Sequence, residues 1–190
     1  GGAQCSIAFV KQGAIATGVD FSARQLAYAR GLAEAEEVRV ELREGDLADL
    51  AFMRAESIDV VFSANAFQYV DDLGRTFRQV HRVLKNGASF VFSVPHPAYS
   101  LIDDRNDASL VVKRSYFDPE PVEVIRYGVA FSEYAHSFSE LYTSLVRSSF
   151  RVDQVLEPAP LATAPRSAEW RPAFTRIPHT LVIRARKEGA

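Results

Sequence analysis

Hydrophobic residues in the first half of the chain follow two alternating patterns, one typical of strands and one typical of helices. Short apolar runs predict strands over residues 14–20, 57–64 and 88–95, and a period of two predicts another over 38–44. Helix-favouring composition and apolar residues three or four apart predict helices between them. These helices cover residues 3–12, 22–37 and 71–85, with a short one within 45–52. The alternation predicts an α/β fold with a doubly wound, mostly parallel sheet.

The second half of the chain does not keep this rhythm. Residues 96–136 hold prolines, a charged loop and several aromatics, which predict an insertion or lid with one short strand over 122–127. A helix over 137–149 and a strand over 150–158 follow, and a strand over 179–187 ends the pattern. Two strands joined by a long loop, directly after a helix, predict an antiparallel C-terminal strand pair at one edge of the sheet.

Composition and charge limit the classes of function. The 190 residues are 47% hydrophobic, which suits a single domain with a core (residues 1–95 and 137–190) and the insertion. The net charge is −2 without a long basic run, so a nucleic-acid partner has little electrostatic support. The single cysteine, Cys5, favours a reducing compartment such as the cytoplasm. No apolar run reaches the ~20 residues of a membrane span, so no membrane partner is predicted.

Two of the predicted strands lead directly into an aspartate. The segment "GVDFS" (18–22) closes one strand with Asp20, and "EGDL" (44–47) follows the next with Asp46. Ligands of open parallel sheets bind beyond the carboxyl ends of the strands, so these carboxylates are expected side by side in a ligand region. One can accept from ribose hydroxyls and the other from an adenine amine. Two acids would repel a pyrophosphate and favour a cationic sulfonium nucleoside; the alternative is that each acid only caps the segment after it.

Five segments of the chain form a set. They are "GG" (1–2), "GVDFS", "EGDL", "SIDVVFSANAFQYV" (57–70) and "HRVLKNGASFVFSVP" (81–95). Together they resemble the class I S-adenosylmethionine-dependent methyltransferases, although Asn86 and Ala88 replace a common Pro and Gly. The tail, including "EYAHSF" (133–138), is similar to the small-molecule branch, where a run E-Y-H-R-T is frequent. Ala135 stands where that histidine would be, and His136 follows it.

The resemblance implies a Rossmann-like fold, S-adenosylmethionine as the cofactor, and roles for particular residues. Gly1 and Gly2 would let the backbone approach the methionine part of the cofactor. Asp20 would bind the ribose hydroxyls and Asp46 the adenine amine. The complete set of implied cofactor-binding residues is Gly1, Gly2, Asp20, Phe21, Ser22, Gly45, Asp46, Leu47, Ser63, Ala64 and Asn65.

The same resemblance implies methyl transfer to a small organic acceptor by in-line displacement. His96 and His136 are the candidate catalytic bases, and Phe67 and Gln68 are expected to open a loop toward the substrate. Several aromatic residues are candidates for the wall of an acceptor pocket or for packing within a lid. They are Tyr99, Tyr116, Phe117, Tyr127, Phe131, Tyr134 and Trp170.

Two alternatives to a methyltransferase remain open at the level of sequence. One is an NAD(P)-dependent oxidoreductase on a related fold, and the other is a protein that binds S-adenosylmethionine without turnover. No zinc-ligand spacing or phosphate-binding lysine loop is present, so no metal is predicted. The family resemblance also implies a first strand and most of a glycine motif ahead of Gly1, and we expect further residues to precede it.

Overall fold

The computed structural model describes residues 1–103, 110–126, 129–167 and 170–189. Within it the chain forms two compact units, Gly1–Met53 and Arg54–Ala190. The candidate wall residue Tyr127, which also ends the strand predicted over 122–127, lies outside the described residues. None of the described helices combines the length and the hydrophobicity needed to cross a lipid bilayer.

The first unit contains two helices and one pair of parallel strands. Its elements are α1 (Gln4–Lys11), β1 (Thr17–Asp20), α2 (Ala23–Ala35) and β2 (Glu41–Glu44). Strands β1 and β2 pair in parallel, with Asp20 opposite Glu44. Ser22 caps α2, because its side chain accepts a hydrogen bond from the Gln25 N–H at 3.3 Å. The pairing of β1 with β2 confirms that these neighbouring strands are parallel, as predicted.

The segment that follows β2 forms turns, so the short helix predicted within residues 45–52 is wrong. The Asp46 carboxylate accepts from the Ala48 N–H at 2.8 Å, and the Asp49 carboxylate accepts from the Ala51 N–H at 3.1 Å. Such local bonds from aspartate side chains offer the backbone an alternative to helical hydrogen bonds.

The second unit is built on a four-stranded sheet. Its elements are β3 (Ile58–Ala64), α3 (Leu73–Val83), β4 (Leu84–Pro95), β5 (Ile102–Asp103), β6 (Val111–Val112), β7 (Val122–Arg126), β8 (Val129–Glu133), α4 (Phe138–Arg147), β9 (Phe150–Leu156) and β10 (Thr180–Lys187). The strand order is β3-β4-β10-β9. Strand β3 pairs in parallel with β4, and β10 runs antiparallel to both β4 and β9. The α/β class and the antiparallel C-terminal strand pair are confirmed.

The predicted insertion contains two small antiparallel pairs, β5 with β6 and β7 with β8. Sequence analysis predicted only one strand in this region. The second strand of the larger hairpin, β8, was missed because its residues Val129–Glu133 mix small, aromatic and charged side chains without a clear period.

Helix α3 ends earlier than the sequence predicts. We expected it to run to Lys85 and stop at the Asn86-Gly87 pair, but the last helical residue is Val83 and Leu84 is already extended. The register between β3 and β4 then shifts, because Ile58 pairs with Leu84 while Val60 pairs with Ser89. The extra residues of β4 include Gly87, whose φ of 74° lies in the left-handed region that glycine adopts without strain. The Asn-Gly pair therefore shapes an irregularity within the strand.

Four phenylalanine rings form the centre of the second unit. Phe67 lies edge-on to Phe77, Phe90 and Phe92, with ring centroids 5.2 to 5.8 Å apart. Phe77 comes from α3, and Phe90 and Phe92 come from β4. Edge-to-face pairs of buried rings contribute stability beyond the burial of their apolar area. This cluster fixes α3 and the loop after β3 against the sheet.

His81, near the end of α3, has a pKa that depends on folding. Its ring packs edge-on against Phe150 at 5.4 Å, and its Nε2 atom lies 3.3 Å from the Glu188 carbonyl oxygen. Burial lowers the pKa of His81 below its ordinary value of 6.5. The Glu188 carbonyl and the Glu56 carboxylate oppose this shift, and the Lys187 ammonium adds to it.

We expect this lowered pKa to make part of the free energy of unfolding depend on pH. Below pH 6.5 the unfolded chain binds more protons at His81 than the folded chain does. The contribution is therefore complete above pH 6.5 and is lost as the pH falls through the lower folded-state pKa. Urea denaturation at pH values on both sides of 6.5 measures it in wild type and in His81→Gln. A difference between the two proteins that does not change with pH would contradict the assignment.

Candidate functional site

The tips of β1 and β2 bring two predicted ligand-binding segments together. Asp20 is opposite Glu44 in the parallel ladder, and the Gly45 N–H donates to the Asp20 carbonyl oxygen at 3.1 Å. Asp46 follows Gly45 directly. The two acids thus belong to adjacent strand tips at the carboxyl edge of this sheet, which is where open α/β sheets bind ligands.

The Asp20 carboxylate is held in place by backbone groups. Its Oδ1 atom accepts from the Ser22 N–H at 2.8 Å, and its Oδ2 atom contacts the α-amino group of Gly1. The side chain is only 17% exposed. A carboxylate fixed by N–H donors, with little exposed surface, is preorganised to accept hydrogen bonds in one direction. The predicted residues Gly1, Asp20 and Ser22 therefore form one cluster.

Asp46 has a more open environment. Its Oδ1 atom accepts the Ala48 N–H, and no described residue bonds to its Oδ2 atom, which is free to accept another donor. The neighbouring Leu47 is half-buried. In the same unit Phe21, which follows Asp20, has a 63% exposed side chain. An exposed aromatic ring next to a strand tip can stack on a planar ligand.

Two predicted glycines lie close to aromatic side chains inside the first unit. A β-carbon at Gly2 would lie 2.8 Å from Cε1 of Tyr28, and one at Gly45 would lie 2.8 Å from Cε1 of Phe52. Both distances are shorter than a carbon–carbon contact allows. A larger residue at either position would therefore have to displace an exposed ring, and glycine leaves the backbone there uncovered by a side chain.

The tip of β3 carries the other predicted cofactor residues. Ser63 is half-buried, whereas Ala64 and Asn65 are exposed. Asn65 has a φ of 50°, a left-handed conformation that costs energy for a residue other than glycine. Two bonds to Ser93 on β4 hold it there: the Asn65 N–H donates to the Ser93 carbonyl at 2.9 Å, and the Ser93 hydroxyl donates to Asn65 Oδ1 at 3.3 Å.

The loop after β3 corrects one prediction. Phe67 was expected to open this loop toward the substrate, but its ring is 2% exposed and packs in the phenylalanine cluster. An apolar ring gains more free energy from burial than from lining a polar opening. Gln68 is also buried, and its Oε1 atom has no hydrogen-bond partner among the residues that the structure describes.

His96, at the end of β4, has both ring nitrogens engaged. The Ala98 N–H donates to Nδ1 at 3.1 Å, so the proton of a neutral ring resides on Nε2, which lies 2.8 Å from the Glu157 carboxylate. The His96 N–H also donates to the His179 carbonyl at 2.8 Å, which continues the pairing of β4 with β10. Glu157 was missed by sequence reasoning, since it is 61 residues away and carries no local motif.

His136 is also bonded at both nitrogens. Nε2 lies 2.7 Å from the Val70 carbonyl oxygen, and Nδ1 lies 3.0 Å from the Glu140 carboxylate. The side chain is buried, with the Tyr134 ring stacked nearly parallel to it at 6.0 Å. In this arrangement the ring has no lone pair directed at open space.

An aromatic cluster lies near the end of β4. Tyr99 contacts Phe174 at 5.5 Å and His179 at 4.6 Å between ring centroids, and Phe174 contacts His179 at 4.2 Å. Tyr99 was predicted as an aromatic wall residue, whereas Phe174 was not singled out. Trp170, another predicted wall residue, packs under the Arg166 guanidinium at 3.9 Å.

Comparison with known proteins agrees with this architecture. A family model described as a methyltransferase domain matches residues 1–92. The uncharacterized methyltransferase YbaJ of Bacillus subtilis is 27% identical over 162 residues, which cover 80% of this chain and 63% of YbaJ. The chain thus spans less than two thirds of the length of this relative.

Two solved structures share the fold over nearly the whole chain. One, from Listeria monocytogenes and assigned to the S-adenosylmethionine-dependent methyltransferases, has a TM-score of 0.82 at 24% identity and covers 100% of this chain and 87% of its own. The other is an S-adenosylmethionine-dependent methyltransferase from Mesorhizobium loti, with a TM-score of 0.75 at 27% identity, covering 98% and 87%. Together, the family match over residues 1–92 and these similar proteins support a class I S-adenosylmethionine-dependent methyltransferase.

Proposed function

We propose that the protein transfers a methyl group from S-adenosylmethionine to a small organic acceptor by in-line displacement. The observation that carries this proposal is the pair of carboxylates on the adjacent tips of β1 and β2. In a chain of this family, two such acids suit the opposite ends of one adenosine. They disfavour a pyrophosphate, and so a dinucleotide, by like-charge repulsion.

The residues of the first unit fit the adenosine part of the cofactor. Asp20 has a fixed, little-exposed carboxylate that would accept from the ribose hydroxyls. Asp46 has a free Oδ2 atom that would accept from the adenine amine, and the exposed Phe21 ring would pack near the base. When bound, S-adenosylmethionine supplies an electrophilic methyl group on its sulfonium sulfur, so the protein has only to bind, orient and exclude water.

Ser63, Ala64 and Asn65 would line the methionine and methyl end. His96 is the residue that we propose as the base for an O–H or N–H acceptor. Its Nδ1 atom holds the lone pair that would accept a proton once the 3.1 Å bond from Ala98 is released. The Glu157 carboxylate, 2.8 Å from Nε2, would stabilise the resulting positive charge.

A small acceptor is supported by charge and by the aromatic residues near His96. The net charge of −2 without a basic run gives little attraction for nucleic acid. Tyr99, Phe174 and His179 offer aromatic surface beside the end of β4, which suits an apolar or aromatic acceptor.

Isothermal titration calorimetry with three ligands tests the proposed cofactor. We expect S-adenosylmethionine and S-adenosylhomocysteine to bind, and NAD to show no heat of binding at the same concentrations. Tighter binding of NAD would favour an oxidoreductase and overturn the proposal. Binding of S-adenosylmethionine without methyl transfer to a broad panel of small acceptors would favour a protein that binds the cofactor without turnover.

A further inference from the structure

We propose that His136 and Glu140 form a latch that positions the loop after β3, residues 65–70. The inference rests on the proposed function only in taking this loop to border the site of methyl transfer. His136 then acts as a positioning residue, through the loop, and does not contact the acceptor itself.

The latch is a bridge between two segments that are far apart in sequence, and it is buried at His136 but exposed at Glu140. His136 is 9% exposed and lies between the Val70 carbonyl oxygen at 2.7 Å and the Glu140 carboxylate at 3.0 Å. The Val70 carbonyl and the Glu140 carboxylate are both oxygen acceptors for a ring N–H. A buried ring that lies within hydrogen-bonding distance of both ties the two segments together.

The segment 131–136, which contains His136, contacts the loop at two further points. The Tyr134 N–H donates to the Gln68 carbonyl oxygen at 2.7 Å. The Phe131 ring, on β8, contacts the Tyr69 ring at 5.6 Å. Each of the three consecutive residues 68–70 is therefore contacted by a residue of the segment 131–136. The β7–β8 hairpin leads into this segment and is thereby tied to the tip of β3.

The loop requires support from outside itself. Asn65, at its start, is held in a left-handed conformation, and Gln68 buries an Oε1 atom that has no partner among the described residues. Both features cost free energy in this conformation. Contacts from elsewhere in the chain must offset that cost, and the bonds from residues 131–136 are among them.

The loop directly follows the tip of β3, so the latch can affect the proposed cofactor residues there. Ser63, Ala64 and Asn65 immediately precede the held residues, and no glycine separates Asn65 from Val70. Movement of Val70 is therefore transmitted through a short and partly buried segment to the tip of β3. A bridge that only capped α4 would not need Val70, because Ser137 already caps this helix by accepting from the Glu140 N–H at 3.1 Å.

Hydrogen exchange on the full chain tests the latch. In His136→Gln and in Glu140→Ala we expect the Tyr69 and Val70 amides to exchange roughly tenfold faster, as the loss of one hydrogen bond predicts. Glu140→Gln keeps an oxygen acceptor for the ring and should remain close to wild type. Thr143→Ala, an exposed change on the same helix, is the matched control.

Two readouts separate positioning from a merely structural role. The Leu141 and Leu145 amides within α4 should keep their wild-type exchange rates in the same variants. The affinity for S-adenosylhomocysteine should fall about fivefold in Glu140→Ala, a factor at the low end of typical coupling between two sites. It should not fall in Glu140→Gln. Unchanged exchange at Tyr69 and Val70, or equal acceleration throughout α4, would overturn the latch.

These outcomes are independent of the proposed function. Failure of the wild-type chain to bind S-adenosylhomocysteine would refute the cofactor assignment, while the exchange rates at Tyr69 and Val70 would still decide whether the latch exists. Should His136→Gln not fold, the comparison of Glu140→Ala with Glu140→Gln carries the same test.

Discussion

Asp20→Ala is expected to bind S-adenosylhomocysteine at least about tenfold more weakly than the wild-type chain. The variant loses the carboxylate that would accept the ribose hydroxyls, and a hydrogen bond to a charged group contributes about 1.5–3 kcal/mol. Since about 1.4 kcal/mol corresponds to a factor of ten, loss of one such bond is sufficient. Isothermal titration calorimetry gives the two dissociation constants directly.

Two companion variants show whether the loss comes from the acceptor group. Asp20→Asn keeps an oxygen that can accept from the Ser22 N–H, which separates loss of the charge from disruption of the strand tip. Glu34→Ala removes the same charge from an exposed position on α2 and should bind like wild type. An Asp20→Ala protein that is folded and binds with wild-type affinity would remove Asp20 from the cofactor site.

Phe67→Ala is expected to lower the free energy of unfolding by about 3–5 kcal/mol, the usual cost of truncating a buried phenylalanine. The ring is 2% exposed and touches three other phenylalanines, so its removal leaves a cavity at the centre of the second unit. Such a loss is a large fraction of the stability of a typical domain. Chemical denaturation measures it.

A matched change separates burial from side-chain type. Phe117 is 89% exposed, so Phe117→Ala removes the same ring and should change the free energy of unfolding by about 0.5 kcal/mol or less. If Phe67→Ala cost as little as Phe117→Ala, the ring would not be a core residue, and the sequence-based view of it as a substrate-facing residue would return.

Local patterns were sufficient to predict the neighbourhood of Asp20 and Asp46. A strand, a helix and a second strand in succession commonly form a parallel pair, and the crossover is then almost always right-handed, so both tips fall on one edge. The cap that Ser22 provides for α2 is equally local, because it involves only the Gln25 N–H three residues later. This part of the site could therefore be predicted, because it depends on interactions between residues that are close in sequence.

Interactions between segments that are far apart in the chain could not be predicted from the sequence. The partner of His96 is Glu157, which follows β9. The two residues lie close together because β10 pairs with both β4 and β9 and so aligns the ends of those strands. The partner of His136 on the β3 side is a backbone carbonyl, at Val70, which no side-chain pattern can indicate. Phe67 was assigned to the wrong environment because an apolar residue after a strand has the same local sequence whether it turns inward or outward.

A crystal structure of the full chain with S-adenosylhomocysteine tests most directly whether the two carboxylates bind one adenosine. We predict the Asp20 carboxylate within hydrogen-bonding distance of the ribose hydroxyls and the Asp46 carboxylate within hydrogen-bonding distance of the adenine amine. A complex in which the nucleoside lies elsewhere, with both carboxylates facing only water, would contradict it.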